Sequence, residues 1–258
     1  VHKDFRQHLQ WFRSKLETRE PFAFARYSDG ELYILQNKKL VLDDNLIQID
    51  DRVSTGPYQP QDFKSFDPQL HADVRDHLLR AFQHKQYNYF KGISCRCCVG
   101  DAAFDEQIAL HGGDDDSLTW ANLFVNANYP AFVESVLPVL QTYSTTMVCH
   151  HDAELTQLGF VDNSFRVGYN AMVNDRKVIE DIRGWIRQHN IHNHLFLFSA
   201  STFSNLAIFE LYRDYPDNTY LDIGTCLTPF MKMPMERSYL QEYWFKKGGS
   251  DLNRVCVW

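Results

Sequence analysis

A chain of 258 residues, 44% hydrophobic and 14% aromatic, is long enough to bury one sizeable core and too apolar to remain disordered. A formal charge of −7 argues against sequence-independent binding of nucleic acid, which needs a basic footprint, so no nucleic-acid partner is expected. No run of about 18 apolar residues suggests a transmembrane segment and no signal-peptide core opens the sequence. The six cysteines are irregularly spaced, as free thiols in a reducing compartment are, and a soluble, cytoplasmic protein is expected.

Over 2–16 the residues Phe5, Leu9, Phe12 and Leu16 recur at helical spacing, which predicts a scaffold helix with one face on the core. The apolar run Phe22-Ala23-Phe24-Ala25 then predicts a buried strand that stops at Ser28-Asp29-Gly30, where helical spacing resumes through Leu32, Ile34 and Leu35. Asp29 and Glu31 therefore stand at a strand end with one glycine between them. Two hard oxygen donors so placed can hold a divalent cation, manganese or magnesium, and through it a diphosphate. The competing reading makes Asp29 a helix cap and leaves Glu31 interacting with the helix dipole.

From 37 to 68 the sequence is polar and irregular, with Asp43-Asp44, Asp50-Asp51 and Gly56-Pro57-Tyr58, and it reads as a long loop, either a lid with acceptor surface or an ordinary connection. Val74, Leu78, Leu79 and Phe82 predict a helix, and 90–95 a short strand. Cys95-Arg96-Cys97-Cys98 admits structural, redox and zinc readings; no second pair stands at a zinc-finger spacing, which favours the structural one. Asp114-Asp115-Asp116, beside Gly112-Gly113, is read as a solvated turn rather than a second cation site. Strand character returns over 119–125, a helix is predicted over 129–143 despite Pro138, and a strand over 145–149. Its end carries His150-His151-Asp152-Ala153-Glu154, read as a polar loop, a contact for donor or acceptor, or a metal site that adjacent histidines on opposite faces of a strand would weaken; Asp152 and Glu154 are the candidate general bases.

A short strand and turn follow at 165–170, and Asn174 is placed as the cap of a helix with Val178, Ile179, Ile182, Trp185 and Ile186 on one face. The continuous apolar run Leu195-Phe196-Leu197-Phe198 predicts a strand covered on both faces. Ser199-Ala200-Ser201-Thr202 then opens a helix over 203–212, either as a phosphate-binding turn or as plain capping by Ser201 or Thr202. The segment beyond 225, with Pro229, Pro234 and many aromatics, is expected to fold back over the domain. Alternating strand and helix patterns without long hairpin signals predict an α/β, Rossmann-like single domain spanning 1–258: a mostly parallel sheet with helices on both faces.

Arg26-Tyr27-Ser28-Asp29-Gly30-Glu31 resembles the R-[FY]-[GS]-D-G-E segment of the GT-D glycosyltransferases, a class first described as a bacterial domain of unknown function. The stretch from Leu195 to Thr202, Leu206-Ala207, Glu210-Leu211 and Tyr220-Leu221-Asp222-Ile223-Gly224 is similar to the family's strand, phosphate loop, helix and terminal D-I-G strand, in the same order. Asn126-Ala127-Asn128-Tyr129-Pro130 is similar to its mid-domain tyrosine-containing helix start. The resemblance implies a metal-dependent transfer of a sugar, commonly a hexose from a uridine diphosphate donor, to a glycan or other hydroxyl acceptor. It places the metal on Asp29 and Glu31 and the donor beside Arg26, Ser199, Ser201, Thr202 and Asp222. The chain departs from the family where Ser199-Ala200-Ser201-Thr202 replaces a glycine-proline loop, and where Thr225-Cys226-Leu227-Thr228-Pro229-Phe230 replaces a further acidic cluster. A hydrolase or phosphotransferase on a nucleotide or sugar phosphate, and a non-catalytic nucleotide-sugar or glycan-binding module, are the alternatives. Neither G-x-x-x-x-G-K-[ST] nor G-x-G-x-x-G occurs, against P-loop and classical dinucleotide sites.

Overall fold

A computed structural model describes residues 3–44, 46–55 and 62–258. Helix α1 (Phe5–Glu17) begins where Asp4 accepts the backbone N–H groups of Arg6 and Gln7, at 3.0 and 2.8 Å. It leads to β1 (Ala23–Tyr27) and α2 (Asp29–Leu35). A small sheet follows, made of β2 (Leu40–Asp43), β3 (Leu46–Ile49), β4 (Arg52–Ser54) and β5 (Lys64–Phe66). Then come α3 (Ala72–Gln83), β6 (Tyr89–Ile93), α4 (Arg96–Val99), α5 (Asp101–His111) and β7 (Leu118–Trp120). A helical run comprises α6 (Tyr129–Ala131), a π turn (Phe132–Val136) and α7 (Leu137–Leu140). The second half contains β8 (Thr145–His150), β9 (Val161–Val167), α8 (Ala171–Asn174), α9 (Lys177–His189), β10 (Leu195–Ser199), α10 (Thr202–Asp214), β11 (Thr219–Asp222) and α11 (Ser238–Phe245).

Seven strands form one all-parallel sheet in the order β7-β6-β1-β11-β10-β8-β9. Alternation along the strands divides the core into two layers. Ala23, Ala25, Tyr27, Phe196, Phe198 and Tyr220 face α2, α3, α8, α9 and α10. Phe22, Phe24, Leu195, Leu197 and Leu221 face α1, the helical run around the π turn, and α11. Strand order reverses between β1 and β11: from β1 the chain proceeds outward to β6 and β7, then returns through the other half to β11. A ligand cleft is expected at the carboxyl ends of strands at such a point.

The region expected as a loop over 37–68 is instead largely the antiparallel sheet β4-β3-β2-β5. Asp50-Asp51 forms a two-residue turn between Ile49 and Arg52, with Asp50 at φ 51°. Gly56, Pro57 and Tyr58 lie outside the described residues. The strand expected over 119–125 ends at Trp120, where Ala121 turns away after donating its N–H to Ile93 O at 2.8 Å. Asn174 ends α8 rather than capping α9, and its amide donates to Tyr169 O. Between β8 and β9 the chain returns through 151–160 without a helix, held where Arg166 donates to Ala153 O at 2.7 Å. Among the described residues no helix is long and apolar enough to cross a membrane.

Candidate active site

A cleft of about 490 Å³ opens at the carboxyl ends of β1, β11, β10 and β8. It brings together Arg26, Asp29, Glu31, Ser199, Ser201 and Asp222, while Thr202 lies behind the lining and donates its hydroxyl to Glu31.

Ser28 ends β1 in extended backbone and Glu31, at the third helical position, reaches back so that its Oε2 accepts the Ser28 N–H at 3.0 Å. The other oxygen, Oε1, accepts the Thr202 hydroxyl at 2.5 Å and lies 3.5 Å from the Lys64 ammonium. Glu31 is buried. Burial alone would raise its carboxyl, but the Lys64 charge and the Thr202 and Ser28 hydrogen bonds outweigh it and hold the carboxyl below its ordinary range. Ser28 therefore occupies the capping position expected of Asp29, while Glu31 joins the start of α2 to the start of α10. Asp29 is exposed at the cleft. The cleft walls displace part of its water and Glu31 adds a like charge, so its carboxyl is raised, and the Ser94 hydroxyl stands 3.4 Å from Oδ1.

Asp222 explains the value of an aspartate two residues before a glycine. Its Oδ1 accepts the Gly224 N–H at 2.9 Å and its Oδ2 the Arg26 N–H at 3.4 Å, which ties the end of β11 to β1 across the strand reversal. Burial, with Glu31 adding to it, raises the carboxyl to about 6 against the opposing pull of Arg26 and the two N–H groups. Gly224 has φ 51°, and a Cβ there would lie 1.7 Å from Arg26 Nη1. Only glycine leaves room for the guanidinium, whose Nε donates to Ala121 O at 2.6 Å.

On the opposite wall Ser201 has φ 52° and makes no side-chain capping bond, so the plain-cap reading fails for its hydroxyl. A serine in that backbone region carries strain of the kind that collects at ligand turns. The segment beyond 225 folds back over the strand ends: Arg237, Ser238, Tyr239 and Asp251 line the cleft. Tyr129, from the helix start, supports this wall by donating to Cys226 O at 3.1 Å and accepting from Trp244 Nε1 at 3.0 Å.

Asp152 and Glu154 do not line the cleft. The chain turns outward after β8, leaving Asp152 exposed and pairing Glu154 with Lys232. His150, the last residue of β8, does line it. His150 is 95% buried and its Nε2 has no hydrogen-bond partner among the described residues, while the Asp152 N–H donates to Nδ1 at 3.3 Å and the Asp152 carboxylate lies 3.5 Å from it. Burial and the neighbouring His151 lower its pKa, so the ring is neutral at pH 7. Lys64 is the residue for which the sequence carried no signal, because the strand that delivers it was not visible. Asp114 and Asp115 form a turn, but a partnered one, bonded to Lys3, Trp258 and Lys85.

No protein-family model matches the sequence, and neither does any curated protein. Two solved structures share the architecture. One, the selenomethionine-substituted structure of domain of unknown function 1792, aligns with TM-score 0.54 at 11% identity over 84% of this chain and 77% of that one. The other aligns with TM-score 0.53 at 12% identity over the same shares, and is of that domain described as highly conserved and as having a distinct glycosyltransferase fold. The chain has this glycosyltransferase fold. The fold expected from the GT-D resemblance and the fold observed agree, and the site residues named by that resemblance converge on the cleft where the strand order reverses.

Proposed function

We propose that the chain is a metal-dependent glycosyltransferase that moves a sugar, a hexose from uridine diphosphate, to a hydroxyl of a glycan or other acceptor. The observation that supports this best is the convergence of Arg26, Asp29, Glu31, Asp222 and the 199–202 turn on one cleft at the strand reversal of a glycosyltransferase fold. The donor set suits manganese or magnesium. Asp29 offers an exposed carboxylate, and Glu31, with one hydrogen bond on Oε2, keeps lone pairs beyond those already used. Ions of this kind are held by one or two carboxylates and complete their shell with substrate phosphates and water. When bound, the ion offsets the charge that grows on the departing diphosphate.

The remaining roles fall to the chain's own groups. Arg26, held by Ala121 O and the space over Gly224, places a planar donor against the phosphates. The 199–202 turn closes the other side at the start of α10. His150 lines the cleft, and because the Asp152 backbone N–H donates to Nδ1, the neutral ring carries its proton on Nε2 and can offer it as a hydrogen bond to a bound oxygen.

Incubation with a panel of nucleotide sugars, manganese and water tests the reading. Slow metal-dependent release of sugar from the donor is expected; release of phosphate alone, or binding without turnover, overturns it. Asp29→Asn is expected to lower turnover at least about a hundredfold, as loss of a transition-state electrostatic partner does, with an unchanged melting temperature. Full activity in that variant would remove Asp29 from the site.

A further inference from the structure

Of the six cysteines, four meet at one point. Cys95, Cys97, Cys98 and Cys256 come from two distant stretches of the chain, yet their sulfurs all lie within 4.8 Å of one another. Cys95 Sγ stands 3.1 Å from Cys97 Sγ and 3.3 Å from Cys98 Sγ. We propose that these four cysteines bind one zinc ion as a tetrathiolate site that clamps the segment 254–258 to the turn after β6.

The spacing suits a single ion. Zinc–sulfur bonds of about 2.3 Å in a tetrahedron place the sulfurs about 3.8 Å apart, inside the observed envelope, whereas an iron–sulfur cluster would spread them further. The surroundings suit thiolates. Asn122 Nδ2 points at two of the sulfurs, 3.5 Å from Cys98 and 3.6 Å from Cys256, an outer support that orients thiolate ligands. The Arg254 guanidinium, bonded to Cys97 O, brings a positive charge to a site whose four thiolates and one zinc carry a net charge of −2. The four thiol protons leave to solvent as zinc enters. Phe5, Trp120, Ala127 and Trp258 form the apolar shell, with Cys95 and Cys256 buried within it. Three ligands from one turn and a fourth from far along the chain is an arrangement that the local cysteine spacing could not reveal.

The clamp has a structural consequence. The segment 254–258 follows Asp251, which lines the cleft, and Cys98 lines the same cleft. Zinc at the cysteines would anchor one end of that wall, a role independent of whether the cleft transfers sugar.

The test is metal analysis of the full chain purified without chelator, by plasma mass spectrometry and zinc-edge X-ray absorption, with thiol titration on the same sample. One zinc per chain with four sulfur neighbours at about 2.3 Å is expected, and all four cysteines are expected to be reduced. Cys256→Ser is expected to lose the zinc and Cys149→Ala to keep it. Asn122→Ala, which retains every sulfur, is expected to weaken zinc in chelator competition by about 10- to 100-fold. Wild-type chain that takes up no zinc under reducing conditions, iron in its place, or a disulfide between any of the four would overturn the proposal, whatever the folding of the variants.

Discussion

Asp222 ionises against its surroundings, and this has a measurable effect. With its carboxyl at about 6 in the fold and an ordinary value of 3.8, the native state holds the proton more tightly than the unfolded chain does. The stabilisation from this group is complete below about pH 4 and is lost as the pH rises through about 6, a difference on the order of 3 kcal/mol. Glu31 runs the opposite way: its lowered carboxyl contributes stability that disappears only as the pH falls below its ordinary value of 4.5. Comparison of wild type with Asp222→Asn, by urea unfolding between pH 4 and 7, separates the two. The wild type is expected to lose stability relative to the variant across that window, and a parallel pair of curves would show that Asp222 is not raised. At this scale the sequence motifs name residues that the fold brings to one cleft, and conceal their partners. Asp29, Glu31, Arg26 and Asp222 could be named from motifs, but the space that Gly224 leaves for Arg26 depends on contact between strands far apart in the chain.

The element that sequence periodicity missed is the small antiparallel sheet, for identifiable reasons. Strands β2, β3 and β4 are joined without glycine, β2 running out at Asp44 and β3 turning into β4 through Asp50-Asp51, and β3 is only half-buried along its length, so no clear apolar alternation marks it. By contrast β1 and β10 were legible because both their faces are covered and an apolar run, 22–25 and 195–198, is continuous. The missed sheet is not peripheral to the site: β5 pairs Lys64 with Leu42 and sends its ammonium to Glu31 and Thr202. The Lys64 and Glu31 side chains are only 11% and 8% exposed, so removing one leaves the other charge without its partner in a largely dry setting. Lys64→Met is expected to lower the unfolding free energy by about 2 kcal/mol, and Glu31→Gln added to it to restore most of that loss. Chemical denaturation of the two single variants and the double variant measures this coupling. Simple additivity would reduce the 3.5 Å approach to a contact without energetic weight.

At the scale of the whole molecule, the cleft joins parts of the chain that have no reason to meet except through the fold. β1 and β11 supply one wall, the starts of α2 and α10 the floor, β5 a cation, and the segment around α11 the cover. A ligand that bridges these parts binds the folded state and has no counterpart in the unfolded chain, so its affinity appears directly as stability. Saturation at 100 times the dissociation constant adds about 2.7 kcal/mol, which for a domain of this size corresponds to a rise of about 5 to 10 °C in melting temperature. If the cleft receives a nucleoside diphosphate together with a divalent ion, uridine diphosphate with manganese is expected to give a shift of that size. Uridine monophosphate is expected to give less, because it lacks the second phosphate that the ion and Arg26 would share, and the diphosphate with chelator is also expected to give less. Thermal denaturation across these ligands, with guanosine and thymidine diphosphates alongside, checks the reading in one experiment. Equal shifts for mono- and diphosphate would remove the diphosphate from the cleft, and equal shifts with and without chelator would remove the ion. A larger shift with guanosine would keep both and change only the base of the proposed donor.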